Sequence, residues 1–204
     1  ERTMLTTSAV SLQVLQEQNI DGLIACSHIL DEKSYVNISF PVVSFDKDYK
    51  NENIPIICSN NYLGGTLAAR HLREKGCKNL LHIAGPLTDE SLLGHGRFFG
   101  FKNYCERNGI AFRSFSTENH FTANYYYEFI RGSVGEEIAS FDGAFCSNDL
   151  IGFALCRFLR ERGISVPQDF KVVGFDNTLF TQTVIPRLTT ISQNIPQIAQ
   201  VLVE

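Results

Sequence analysis

Positive charge is scarce in this chain. It has 18 Lys and Arg against 22 Asp and Glu, a net charge of −4, and a sequence pI of about 5.8. A surface that neutralises phosphates carries an excess of basic residues. The chain by itself is therefore a poor nucleic-acid binder and a poor match for an anionic membrane surface. Long apolar runs are also missing, since none approaches the roughly 18 residues of a membrane span. Glu1-Arg2-Thr3-Met4 has no apolar signal-peptide region.

The cysteines contain no CxxC pair. There are six of them: Cys26, Cys58, Cys77, Cys105, Cys146 and Cys156. An even number leaves a disulfide framework formally open. They fall in or beside apolar runs, however, where a free Cys behaves as a small hydrophobe. The expectation for a chain this large is reduced, buried thiols in a cytoplasmic protein.

Catalytic motifs are absent as well. There is no Walker loop, no GxSxG elbow and no HExxH. His28, His71, His82, His95 and His120 are scattered, which suits structural or surface roles better than a metal. Gly94-His95-Gly96-Arg97-Phe98-Phe99-Gly100 imitates a dinucleotide fingerprint, but its third Gly comes one place late and the loop after Ala84 is too long. Nothing points to an enzyme, a cofactor or a metal.

What is present is an α/β pattern. The chain has 204 residues, 44% hydrophobic and 20% charged, enough for one large domain or two small lobes. Ser8 to Asn19 reads as a helix with Val10 and Val14 four apart. Strands are expected at Asp21 to Cys26, Pro41 to Phe45, Ile54 to Cys58, Leu80 to Ala84, Ile110 to Phe115, Gly143 to Cys146 and Lys171 to Phe175, the last clear one.

Helices are expected from the Asn60-Asn61 cap to Lys75 with Leu63, Leu67, Ala68 and Leu72 inward, from Arg97 to Asn108, from Thr122 to about Ile138, and from Asp149 to Arg162. Another begins near Pro196. Gly76, Gly109 and Gly163 stand at helix ends. Apolar strands alternating with helices mean parallel sheets covered on both sides. Both ends of the chain look cut, because it opens on a helix and stops without a cap.

Open α/β sheets bind ligands at the carboxyl ends of their strands. Those ends carry Asp46, Ser59-Asn60-Asn61, Ser147-Asn148-Asp149 and Asp176-Asn177. Asn60, Ser147 and Asp149 can equally be helix caps. Carboxylates with amides suit polyhydroxylated ligands, whose hydroxyls donate and accept. Arg97, taken on its own, reads as a solvated or snorkelling side chain. Phe121, beside His120, can stack on a ligand or pack locally, and both readings stay open.

Several segments in order resemble the LacI/GalR family of transcriptional regulators: Asp21-Gly22-Leu23-Ile24; Pro41-Val42-Val43 with Asp46; Asn61 through Gly64-Gly65 to His71-Leu72 and Gly76; Ile83-Ala84-Gly85-Pro86; and Arg97 with Gly100-Phe101. Ala144 to Asp149, Val166-Pro167 with Asp169, Val172 to Asn177, and Pro186 with Leu188 to Ile191 and Gln193 complete the series.

The resemblance implies a two-lobed periplasmic-binding-protein-like fold, each lobe a mostly parallel sheet flanked by helices. Residues 1–58 would form the N-terminal lobe without its first strand-helix-strand, 59–190 the C-terminal lobe, and 191–204 the crossover back. It implies a small effector, such as a sugar, in the cleft, held by Arg97, Asn148, Asp176, Phe121, Asp46 and Gln193. This reverses the solvated reading of Arg97.

It further implies a homodimer that reaches operator DNA only through an N-terminal helix-turn-helix absent from this sequence. A solute-binding protein of a sugar transporter is the alternative on the same fold. A sugar- or nucleotide-converting enzyme is a third reading that lacks a nucleophile, base or metal set.

Overall fold

Every strand among the described residues pairs in parallel with its neighbours. The structure, a computed structural model, describes residues 12, 14, 15, 17, 20–26, 38–87, 92–118, 122–183, 185 and 187–203, the side chains at 92–94 excepted. In chain order come β1 (Leu23–Ala25), β2 (Val42–Phe45), β3 (Ile56–Ile57), α1 (Asn61–Glu74), β4 (Asn79–Ala84), α2 (Leu92–Arg107) and β5 (Ala111–Ser116). Then follow α3 (Ala123–Phe129), β6 (Gly143–Cys146), α4 (Asp149–Glu161), β7 (Lys171–Asp176), α5 (Phe180–Thr183), β8 (Thr189–Ser192) and α6 (Ile195–Val203).

The chain divides into two units. One is built from the described residues up to Ser59 together with those from Asn194 onward; the other is 60–193. The smaller unit has a three-stranded sheet, β1-β2-β3. Leu12, Ala25, Tyr49 and Ile54 form a buried apolar cluster in it, with Leu15, Leu23, Ile38 and Val42 packed against them. Leu12, Val14, Leu15 and Glu17 are helical, and the rest of the helix expected from Ser8 to Asn19 lies outside the described residues. Val14 is 44% exposed, so Leu12 rather than Val14 carries that helix's buried face.

The larger unit holds a five-stranded sheet in the order β5-β4-β6-β7-β8. The two-residue period of its strands sorts the side chains into two layers. Leu80 on β4, Phe145 on β6, and Val173 and Phe175 on β7 meet Ala68, Ala69 and Leu72 of α1 and Phe101 and Cys105 of α2. Leu81, Ile83, Ala144, Cys146 and Val172 face the other way, toward Tyr126 of α3 and Ile151, Leu155 and Phe158 of α4.

The helix ends follow the local chemistry. Asn60 caps α1 by accepting from the Leu63 N–H at 2.9 Å, and Asn148 caps α4 by accepting from Ile151 at 2.8 Å. Gly76 leaves α1 with φ +87°, a left-handed turn that a side chain would strain.

Four local expectations need correction. Leu63 is 49% exposed. The buried face of α1 is instead Asn61, Gly64, Gly65, Ala68, Ala69 and Leu72, because α2 lies too close for large side chains. A Cβ on Gly65 would sit 1.9 Å from the Arg97 carbonyl oxygen, and one on Gly100 would sit 1.9 Å from that of Tyr62.

The helix expected to run from Thr122 to Ile138 breaks instead. A π-helical turn at Ile130–Val134 follows α3, and a 3-10 turn at Ile138–Ser140 comes after it. Gly132 and Gly135 weaken a continuous α-helix there. β8 is an additional strand beyond β7. Its Thr-Thr-Ile-Ser sequence is mostly polar because it forms the sheet edge. Finally, Cys26 and Cys58 are exposed rather than buried.

Candidate functional site

The start of the Asn61–Glu74 helix and the carboxyl ends of β6 and β7 bring one charged group into dense contact. Arg97 lies within α2, more than a turn from its first residue rather than at its start. It is only 9% exposed, so it neither snorkels nor sits in solvent. Burying a guanidinium is costly unless its N–H groups find partners. Its Nε donates to Asn61 Oδ1 at 2.7 Å, and Nη1 donates to the Ser147 carbonyl at 2.6 Å. Nη1 also lies 3.5 Å from Asp176 Oδ1. The guanidinium carbon stands 3.7 Å from the Phe175 ring centroid, a cation–π stack.

Each partner arrives for a local reason. Asn60 already caps α1, so Asn61 is spare, and the glycine-mediated approach of α1 and α2 places it beside Arg97. Ser147 follows β6, and its N–H donates to Ile83 O at 2.9 Å, extending the ladder one residue beyond the strand. Phe175 and Asp176 end β7.

Asp176 and Asn177 have φ of +106° and +55°. Left-handed backbone costs a non-glycine residue about 1–3 kcal/mol, although Asp and Asn tolerate it better than most. This turn directs the Asp176 carboxylate at Arg97 and at Gln193, whose Nε2 donates to it at 2.7 Å.

His82 sits beneath this rim. It is fully buried, with Nδ1 2.8 Å from Ser114 Oγ and Nε2 3.1 Å from Ser147 Oγ. Phe98, Phe101 and Phe145 surround its ring. Burial pushes its pKa down to about 3, which keeps the imidazole neutral. Its role here is structural support for Ser147, whose carbonyl receives Arg97.

The structure thus brings together three of the residues singled out from sequence: Arg97, Asp176 and Gln193. Asn148 adjoins Ser147 in the chain, but its side-chain oxygen caps α4. Asp46 follows β2 in the smaller unit with φ +58°, its N–H donating to Ile57 O at 3.1 Å. Phe121 lies outside the described residues.

Sequence reasoning missed Asn61 as a partner of Arg97. The available signal was a pair of Asn residues where a helix needs only one cap. Among the described residues no group of three or more His, Cys, Asp or Glu is placed to hold a metal. The larger unit also has a cavity of about 600 Å³ bordered by Phe153, Arg157, Ile164 and Leu188, and none of the Arg97 cluster lines it.

The cluster is built for hydrogen bonding. It pairs a donor fork with a carboxylate and an amide on a rigid sheet edge. Residues 69–204 match the periplasmic binding protein-like domain family. The chain is 32% identical over 184 residues to the ribose operon repressor of Halalkalibacterium halodurans, across 90% of this chain and 54% of that protein. It is 32% identical over 197 residues to the sucrose operon repressor of Streptococcus mutans, across 95% of this chain and 58% of that protein. The chain therefore spans little more than half the length of these curated relatives.

Among solved structures, the periplasmic binding protein/LacI transcriptional regulator of Alkaliphilus metalliredigens, complexed with D-xylulofuranose, is similar with a TM-score of 0.82. Identity is 35%, over 96% of this chain and 71% of that one. The sequence match, the parallel α/β fold and this likeness agree: the chain belongs to the periplasmic binding protein-like family of effector-binding domains found in LacI-type transcriptional regulators.

Proposed function

We propose that this chain is the effector-sensing domain of a LacI-family repressor of a carbohydrate-utilisation operon, and that it binds a small sugar at the Arg97 cluster. The observation that carries the reading is the buried Arg97 beside Asp176, which also accepts from Gln193, at the carboxyl rim of a parallel sheet. A sugar hydroxyl both donates and accepts. Asp176 accepts from it, while Arg97 and Gln193 donate to it. The positive and negative groups offset each other, which suits a neutral polyol.

Sugar binding favours one of two conformations by its differential affinity and so changes affinity for operator DNA. The DNA is read by a helix-turn-helix of the full-length regulator, which acts as a homodimer in the cytoplasm. With a net charge of −4, this chain senses rather than grips DNA. No helix among the described residues is long and apolar enough to cross a membrane. The curated relatives are operon repressors, which favours a regulator over a transporter's solute-binding protein.

Calorimetric titration with D-ribose, D-xylulose and sucrose tests this. At least one sugar saturates the wild type. Arg97→Ala binds it at least about tenfold more weakly, since one hydrogen bond to a charged group is worth about 1.5–3 kcal/mol. Equal affinity of the variant, or no binding across the panel, overturns the proposal.

A further inference from the structure

One carboxylate behind the rim holds both segments that present the site, and we infer that Asp149 is the positioning residue for Asp176 and Gln193. The inference rests on reading the Arg97 cluster as the effector site. By sequence Asp149 reads as a helix cap, but Asn148 makes that cap. Asp149 is instead the first residue of α4, 1% exposed. A buried carboxylate is unstable without strong donors.

Asp149 has two such donors, on different segments. Its Oδ2 accepts from the Thr178 N–H at 2.7 Å, and its Oδ1 accepts from Thr190 Oγ1 at 2.6 Å. β7 makes room for it with Gly174, where a Cβ would lie 2.5 Å from Asp149 Oδ1.

Those two bonds hold the strained turn from behind. Thr178 immediately follows Asp176 and Asn177, the two residues at positive φ. If either relaxed to negative φ, the Thr178 N–H would swing away from the carboxylate. Thr190 lies on β8, three residues before Gln193. Its hydroxyl oxygen accepts from the Asn177 N–H at 3.3 Å, and Asn177 Nδ2 donates to Ser192 Oγ at 3.3 Å. Asp149 therefore fixes the exits of β7 and β8 together. The Asp176–Gln193 hydrogen bond at 2.7 Å is formed between the two segments it fixes.

The test uses the whole chain with Asp149→Asn, Asp149→Ala and Thr190→Val. In the sugar-free protein, residues at positive φ give strong intraresidue HN–Hα NOEs, so Asp176 and Asn177 report the turn directly. The expected result is that these NOEs weaken in Asp149→Ala and Thr190→Val. Affinity for the sugar that the wild type binds best among D-ribose, D-xylulose and sucrose falls about tenfold or more in Asp149→Ala. Asp149→Asn, which keeps one acceptor for Thr178, recovers part of both.

Unchanged NOEs in Asp149→Asn, Asp149→Ala and Thr190→Val overturn the inference, even where the melting temperature drops, because that is a stability effect alone. Weakened NOEs with unchanged sugar affinity overturn it too. If the wild type binds none of the sugars, the sugar reading fails on its own, and the NOEs still decide whether Asp149 holds the turn. If the Asp149 variants do not fold, the isosteric Thr190→Val decides.

Discussion

The two units share a parallel α/β design but differ in depth. The larger unit buries Phe101, Phe145, Phe158, Phe170 and Phe175 almost completely, and its β4, β5 and β7 each run six residues. In the smaller unit the strands are three, four and two residues long. Its buried apolar residues among those described, Leu12, Ala25, Tyr49, Ile54 and Ile198, all keep 3–9% of their surface exposed. A deep aromatic layer is what allows a guanidinium to be held rigidly with few competing waters. The buried charge accordingly sits over Phe175 in the larger unit.

The largest expected break in this comparison comes from core truncation. Phe158→Ala should cost the larger unit about 3–5 kcal/mol, while Ile54→Ala in the smaller unit falls at or below about 2–3 kcal/mol. Urea unfolding of both variants checks this, and equal costs would erase the claimed difference in depth.

Next in size is a pH effect confined to the larger unit. His82 stays neutral down to about 3 in the fold, whereas an unfolded His takes up its proton near 6.5. Between those values the unfolded state binds more protons, so stability falls as pH drops from about 6.5 toward 3, by up to about 1.4 kcal/mol per pH unit. Urea midpoints of wild type and His82→Leu across this range should show a shallower slope in the variant.

The gentlest test leaves the fold intact. A thiol reagent under native conditions should label Cys26 and Cys58 of the smaller unit first. Cys77, Cys105 and Cys146 should react only on opening. They are buried, and burial pushes the Cys77 thiol to about 11 and the Cys105 thiol to about 12. Mass spectrometry of timed labelling reads the order, and early labelling of Cys146 would contradict it.

The strands and helix ends were legible because their causes are local. Leu80 to Ala84 is apolar on both faces, and Asn60, Gly76 and Asn148 mark helix boundaries with side chains or backbone freedom used within a few residues. β8 escaped because an edge strand such as Thr189 to Ser192 has no continuous apolar run to betray it. Leu63 was misplaced because helical periodicity does not reveal that α2 approaches α1 through Gly65 and Gly100, leaving only small residues inside.

Arg97 marks the boundary between the two kinds of information. Its residue type alone favoured solvent, and only likeness to a family of regulators suggested a role in binding. Its burial depends on Asn61 and Ser147, 36 and 50 positions away, and on Phe175 and Asp176 beyond them. By itself the sequence determined the α/β alternation, the helix caps and the polar residues that end the strands, since periodicity and capping act over a few residues. Only the tertiary structure decided which of those polar groups meet, because the burial of a charge is settled by the partners that a folded sheet brings from distant parts of the chain.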